Sequence, residues 1–166
     1  MSTTEENLKT AFAGESQANR KYTAYARKAD KDGHPQIARL FRAAAEAETI
    51  HALGHFDAMG GVGSTLDNLK DAVQGETYEY KEMYPPMLEQ ADKDGHRAMR
   101  MFNLALQAEE VHADLYQQAA DALEGGKDMT GDEVYLCPVC GHIHIGQPED
   151  RCPICKLPPE KYKKIV

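Results

Sequence analysis

The side chains able to do chemistry fall into two sets. Cys137-Pro138-Val139-Cys140 and Cys152-Pro153-Ile154-Cys155 are two Cys-x-x-Cys turns with eleven residues between them, and two such turns bring four thiolates to one tetrahedral ion. The spacing suits iron and zinc alike: zinc would only staple the fold, whereas iron would add a one-electron carrier. The second set is built on Glu48-x-x-His51 and Glu109-x-x-His112. Three residues along a helix leave two side chains about 60° apart, so each Glu and His share a face and can hold one metal. Glu15 and Glu76 also fall where the helical period places apolar residues. A Glu is almost never buried without a compensating partner, so four Glu and two His aimed at one core imply bound cations. Carboxylate oxygens with only two imidazoles suit Fe or Mn over Cu and favour a site that cycles between ferrous and ferric states.

A further carboxylate, Glu79, lies three residues after Glu76 on the same face and is a candidate seventh ligand. Tyr22 and Tyr84 are placed to hydrogen-bond the carboxylates, although buried Tyr is also ordinary core material. Glu110 points about 200° away from His112 and Glu46 belongs to the surface. His34 and His96 sit in turns and read as caps, and His55, one turn beyond His51, reads as a packed or rim histidine.

These residues must be positioned by helices. The 3.6-residue period predicts a first helix from Thr4 to Asp30, facing inward with Leu8, Phe12, Glu15, Asn19, Tyr22 and Ala26. A second begins near Pro35, a residue suited to the first helical position, with Ile37, Leu40, Phe41, Ala44, Glu48, His51, His55 and Met59 inward. Gly60 to Ser64 break the chain, and Thr65 is the expected N-cap of a third helix presenting Leu66, Leu69, Val73, Glu76 and Tyr80. Pro85 and Pro86 should kink it near Tyr84. The fourth carries Met101, Phe102, Ala105, Glu109, His112, Leu115 and Ala119 inward and ends at Gly125 and Gly126.

The halves repeat: ADKDGH stands at 29–34 and 91–96, and LFRAAAEAETIHA at 40–52 aligns with MFNLALQAEEVHA at 101–113. With an offset of 61 residues Glu15 falls on Glu76, Glu48 on Glu109 and His51 on His112, while Glu79 falls on Ala18. Two metal ions would therefore be inequivalent. One Glu from each of two helices plus Glu-x-x-His from each of the other two is the di-iron or di-manganese pattern of ferritin-like four-helix bundles. The predicted fold is mainly α: a ferritin-like bundle over 1–126, a linker at 127–133, and a small metal ribbon at 134–166, an appendage short enough to need its ion to stay folded.

A net charge of −8 with no basic stripe argues against nucleic acid or anionic membrane as partner. No signal sequence is evident, and no stretch approaches the roughly 18 apolar residues of a membrane span. With all four cysteines committed to one site, the expected location is a reducing cytoplasm.

The segments AFAGES, EAETIHA, GETYEYKEMYP, AEEVHADLY, CPVCGH and CPICK together resemble the rubrerythrin family, over nearly the whole chain. The resemblance implies a non-haem di-iron peroxidase acting in oxidative stress protection. Two irons would be held by Glu15, Glu48, His51, Glu76, Glu79, Glu109 and His112, with Tyr22 and Tyr84 in support. A third iron would sit on Cys137, Cys140, Cys152 and Cys155. Zn or Mn can substitute in such sites. Electrons from a rubredoxin or an NAD(P)H-dependent reductase would enter the ribbon, pass to the iron pair and reduce hydrogen peroxide to water, with one iron exchanging Glu79 for His51 as its oxidation state changes. Two other readings are a ferroxidase or oxygen reductase using the same bundle ligands, and a non-enzymatic electron carrier or zinc-ribbon module.

Assembly is addressed by one loop. If the second and third helices run parallel, the chain must return about 30 Å between them, whereas residues 60–65 extend about 20 to 25 Å. This favours a domain-swapped homodimer, in which helices one and two of one chain close a bundle with helices three and four of the other. A third helix starting nearer Lys70, or an up-down-up-down bundle, would remove the need for exchange.

Overall fold

The computed structural model describes residues 2–129 and 133–166; positions 130–132 of the expected linker lie outside the described residues. The fold is mainly α, with the helices of a ferritin-like bundle followed by a small ribbon. The chain divides into two compact units, Met1–Gly63 and Ser64–Val166.

The first unit is a helical hairpin of α1 (Thr4–Lys31) and α2 (Pro35–Ala58). Thr3 caps α1 in a reciprocal pair with Glu6, its Oγ1 accepting from the Glu6 N–H at 3.1 Å while the Glu6 carboxylate accepts from the Thr3 N–H at 2.7 Å. The turn after α1 explains half of the ADKDGH repeat. Gly33 takes φ +81°, and the Gly33 and His34 N–H groups return to Asp30 O and Ala29 O, closing the helix with a left-handed residue that glycine adopts without Cβ strain. Gly95 does the same at φ +59°, with Gly95 and His96 bonded to Asp92 O and Ala91 O.

Helix α2 buries Ala38, Ala45 and Ala52, a small-residue stripe recurring every seven positions that lets two backbones approach. Ile37 and Leu40, expected inward, are 50% and 69% exposed. Their period places them on the Glu48 face, displaced around the helix from the alanine stripe, and one neighbouring helix covers only one stripe. Across the hairpin the buried Asn19 amide donates to Ala45 O at 2.6 Å and to Thr49 Oγ1 at 2.7 Å, fixing the register of the two helices four residues from Glu15.

The second unit contains α3 (Thr65–Tyr78), a π-helical turn at Glu79–Met83, α4 (Tyr84–Lys93) and α5 (Ala98–Glu124). The N-cap of α3 is Ser64, paired reciprocally with Asp67, and not Thr65, which is the first helical residue. This start excludes a third helix beginning near Lys70. The kink expected near Tyr84 takes the form of the π turn, closed by Tyr84 N–H to Glu79 O. Pro85 and Pro86 bring no N–H to the preceding turn, which widens to accommodate them. The repeat records the same event. Glu15 and Glu76 are 61 residues apart, but ADKDGH recurs after 62, from 29 to 91, so the second half carries one extra residue in the interval where the π turn sits. Met101, expected inward on α5, is 53% exposed.

The ribbon forms a three-stranded antiparallel sheet in the order β2 (Ile143–Ile145), β1 (Val134–Leu136), β3 (Lys163–Ile165), with Val134 opposite both Ile145 and Ile165. Cys137, Cys140 and Cys152 are its core, packed by Ile154, Leu157, Tyr162 and Leu104 of α5. Among the described residues no helix is long and apolar enough to cross a membrane.

Candidate metal centres

The two Cys-x-x-Cys turns are matched backbone loops. Cys137 N–H donates to His142 O and Gly141 N–H to Cys137 O; Cys152 N–H donates to Leu157 O and Lys156 N–H to Cys152 O. These loops converge the four thiols so that all Sγ atoms lie within 4.8 Å of one another, with Cys137 to Cys155 at 3.4 Å and Cys140 to Cys152 at 3.5 Å. A tetrahedral ion with metal–sulfur bonds near 2.3 Å needs sulfurs about 3.8 Å apart, so the cluster fits one ion with small adjustment. All four cysteines are free thiols. Burial opposes ionisation of Cys152, but N–H groups of Cys155 and Ile154 and the Tyr162 hydroxyl overcome it and bring this thiol down to about 6, whereas burial pushes Cys140 and Cys155 up.

The candidate ligands of the helices form two triplets, one in each unit. In the first, Glu15 from α1 meets Glu48 and His51 from α2, with donor atoms within 4.8 Å. Glu15 is held above the usual carboxylate range, first by a hydrogen bond shared with Glu48. His51 Nδ1 lies 3.5 Å from Glu48 Oε2, and its side chain is 56% exposed. In the second, Glu76 from α3 meets Glu109 and His112 from α5. His112 Nδ1 is 2.7 Å from Glu109 Oε2 and 4.0 Å from Glu76 Oε1. Glu76 is raised by burial and then by the charge of Glu109.

Glu79, at the head of the π turn, stands outside the tight triplet but feels it: burial raises its pKa, followed by Glu109, with His112 acting in the opposite sense. Tyr84 is raised by burial and then by Glu79, Glu109 and Glu76, which places its phenol beside these carboxylates. Tyr22 instead joins an aromatic group with Tyr25 and Phe41, and among the described residues it makes no hydrogen bond to the carboxylates. Glu110 and Glu46 are exposed. His96 caps α5 by accepting from Ala98 N–H at 3.1 Å, whereas His34 occupies a cap position without a side-chain bond.

Among the described residues none of these five ligand-face carboxylates pairs with a Lys or Arg, although their neighbours are like-charged. His112 sharpens the point. Its Nε2 lies 2.9 Å from Gly141 O, so that nitrogen carries the proton and donates to the carbonyl. The other nitrogen then turns a lone pair toward Glu109 and Glu76, an arrangement resolved by a cation between imidazole and carboxylates. The chemistry of both donor sets therefore fits metal. The contact also places the second triplet against the residue following Cys140. Sequence periodicity assigned no role to Gly141, because a backbone carbonyl leaves no mark on residue type, and none to Asn19 beyond an inward position.

A family profile described as "Rubrerythrin" matches residues 6–120, and one described as "Rubrerythrin, rubredoxin-like domain" matches 135–163. Rubrerythrin-2 of Clostridium acetobutylicum is 39% identical over 96% of this chain and 95% of its own length. Nigerythrin of Nitratidesulfovibrio vulgaris is 37% identical over 95% of this chain and 84% of its own. The solved structure of fully reduced, all-ferrous nigerythrin superposes with a TM-score of 0.59 at 36% identity, covering 99% of this chain and 88% of that one.

Proposed function

The chain belongs to the rubrerythrin family, with its di-iron site and rubredoxin-like four-cysteine site, and on that premise we propose that it is a peroxidase reducing hydrogen peroxide to water in defence against oxidative stress. Glu15, Glu48, His51, Glu76, Glu79, Glu109 and His112 hold the iron pair, and Cys137, Cys140, Cys152 and Cys155 hold a single iron that receives electrons from a rubredoxin or an NAD(P)H-dependent reductase. The observation that carries this reading is the bond from His112 Nε2 to Gly141 O: one side chain faces the carboxylates with one nitrogen and the cysteine loop with the other. Iron oxidation for storage has no use for such an entry route, which sets the ferroxidase reading second.

Two ferrous ions held by these residues would supply the two electrons that O–O cleavage takes, and with two protons the products would be two waters. The chain's own groups manage the protons and the coordination. Burial and the surrounding carboxylates keep Tyr84 a neutral phenol, able to donate a hydrogen bond into the site. Glu79, whose ionisation is opposed by burial and Glu109, can hold a proton when it is not a ligand. Its place outside its own triplet and, in the other half, the exposure of His51 support an exchange of Glu79 for His51 as the oxidation state of one iron changes. Stopped-flow reoxidation of the reduced protein tests the chemistry: peroxide should act faster than air, and a preference for oxygen would assign the chain to the oxygen-reductase class.

The assembly we propose is the domain-swapped homodimer. Each site would take Glu15, Glu48 and His51 from one subunit and Glu76, Glu79, Glu109 and His112 from its partner. Support comes from the short connector, since α2 ends at Ala58 and α3 starts at Thr65, and from the exposure of Ile37, Leu40 and Met101 on faces whose period assigns them to a core. The functional division at 126 and 134 and a cytoplasmic location, fitting four free thiols, belong to the same proposal.

A further inference from the structure

The two cysteine turns share a backbone but not their surroundings. In each, the residue after the second cysteine is left-handed: Gly141 at φ +84° and Lys156 at φ +63°. Glycine adopts this conformation without a Cβ penalty, whereas lysine is strained by it. Lys156 is the one non-glycine residue with positive φ among the described residues. Gly141 faces α5: a Cβ on it would stand 4.0 Å from the Ala108 Cβ, and its carbonyl meets His112. Lys156, Pro153 and Arg151 are exposed, and Cys155, just before Lys156, is the one cysteine of the four that is not buried. The first turn is therefore closed against a helix and the second is open.

The open turn is also where the chain keeps its positive charge. Residues 151–166 carry five basic side chains, Arg151, Lys156, Lys161, Lys163 and Lys164, against one acidic, Glu160, a net +4 that leaves −12 on residues 1–150. Lys164 pairs with Glu133. Arg151 and Lys156 are held instead by carbonyls of the turn itself: Arg151 Nη1 donates to Lys156 O at 3.2 Å, and Lys156 Nζ to Pro153 O at 2.8 Å. Neither pairs with a carboxylate among the described residues, although Glu149 and Asp150 precede Arg151 in the chain. Two cations fixed beside the most accessible ligand, on a chain otherwise strongly acidic, attract an anionic surface to that point. We infer that the Cys152–Lys156 turn is the docking surface for an acidic one-electron carrier protein, with entry at Cys155 and exit at Gly141 toward His112. One electron crosses from the carrier's reduced centre to ferric iron held by the four cysteines, and no proton moves. The inference rests on the reading that this site holds iron and is filled from outside. It gives the strain at Lys156 a reason, because glycine would serve the turn but bring no charge.

The test mixes full-length, iron-loaded protein with a reduced rubredoxin of net negative charge, or with the same rubredoxin after amidation of its surface carboxylates. Wild type must first show thiolate-to-ferric absorption; its absence after iron loading overturns the iron reading and this inference with it. With iron present, stopped-flow reduction by the anionic carrier should slow as salt rises, and the amidated carrier should be slower at low salt. Lys156→Gly should unfold at the same or a higher temperature than wild type, yet be reduced about threefold or more slowly at low salt. Lys156→Arg should stay near wild type, and Glu149→Gln with Asp150→Asn should be reduced faster. Carbodiimide coupling of lysines to the carrier's carboxylates, mapped by mass spectrometry, gives a readout independent of turnover and should place the bond on Lys156. If Lys156→Gly lowers the melting temperature without slowing reduction, the lysine is only a brace for the turn and the inference fails. It is overturned as well by a loss that is the same at every salt concentration, which would reflect the potential of the iron, or by cross-links confined to other lysines. An equal loss in the reoxidation of dithionite-reduced Lys156→Gly by peroxide would put the defect after entry, with the same consequence.

Discussion

His51 and His112 occupy the same place in the repeat, but the first is 56% exposed and 3.5 Å from its Glu, whereas the second is 15% exposed and 2.7 Å from its Glu. The difference lies in what surrounds each half. In the hairpin of α1 and α2, His51 faces Glu48 across 3.5 Å. In the second unit, the Gly141 carbonyl holds the far nitrogen of His112, and a π turn brings Glu79 to the edge of the triplet. Identical Glu-x-x-His spacing therefore produces one ligand set that is loose and one that is anchored. The repeated hairpins differ in structure: one contains a π turn and is followed by the ribbon, and the other has neither.

The sharpest way to break this comparison is to separate the halves genetically. Glu48→Ala and Glu109→Ala should each abolish peroxidase turnover alone. In a swapped mixed dimer one site would lose both ligands while the other stays whole, so mixed dimers purified after co-expression should show roughly half the wild-type activity. Confirmed mixed dimers without activity would leave each site within one chain.

A second experiment asks whether anchoring matters to the metal. His112→Ala should weaken iron binding in both oxidation states, by about tenfold or more. His51→Ala should weaken mainly the ferrous state, and Glu79→Ala mainly the oxidised state and turnover. Iron titrations under reducing and oxidising conditions measure all three, and equal losses in both states for Glu79→Ala would remove the case for exchange.

Smaller effects come from charge. Glu15 is raised by its bond to Glu48, and Glu76 and Glu79 by burial and Glu109. A carboxyl whose pKa is raised on folding binds more protons in the native state, so its stabilising contribution is present at low pH and lost as pH rises through the folded pKa. Metal-free protein should therefore melt at higher temperature near pH 5 than near pH 7. Metal-loaded protein should show the opposite trend, because its ligands must be deprotonated. The lowered groups Asp67 and Glu133 oppose the metal-free trend, so Glu76→Gln provides the control: part of the slope should vanish with it.

The smallest expected change is confined to the first half. Asn19→Ala removes the amide that bonds Ala45 O and Thr49 Oγ1, but Thr49 Oγ1 still reaches Ala45 O at 3.1 Å. The loss should be about 1 kcal/mol, seen as roughly 2–4 °C in melting temperature. Iron bound by Glu15 and Glu48 should become less ordered without being lost.

Much was readable before any coordinates, and for definite reasons. Helical period, punctuation by Gly33, Pro35, Gly95 and Gly125, and the repeat are one-dimensional signals, so the helices and the ligand faces of Glu15, Glu48, Glu76 and Glu109 follow from residue type and spacing. The cysteine site is equally local, because each Cys-x-x-Cys turn makes its own loop. The proline pair announced a disturbance near Tyr84, but its form was decided by which backbone carbonyls lost donors. Ser64 rather than Thr65 caps α3 because the cap is chosen by reciprocal bonding to Asp67, and both residue types can serve. Only tertiary structure decided the rest: that Ala38, Ala45 and Ala52 meet α1 while Ile37 and Leu40 stay exposed, that Gly141 offers its carbonyl to His112, and that His142 meets the Tyr162 hydroxyl. Those contacts join residues 20 to 30 positions apart, or involve backbone atoms common to every residue, and neither leaves a periodic trace along the chain.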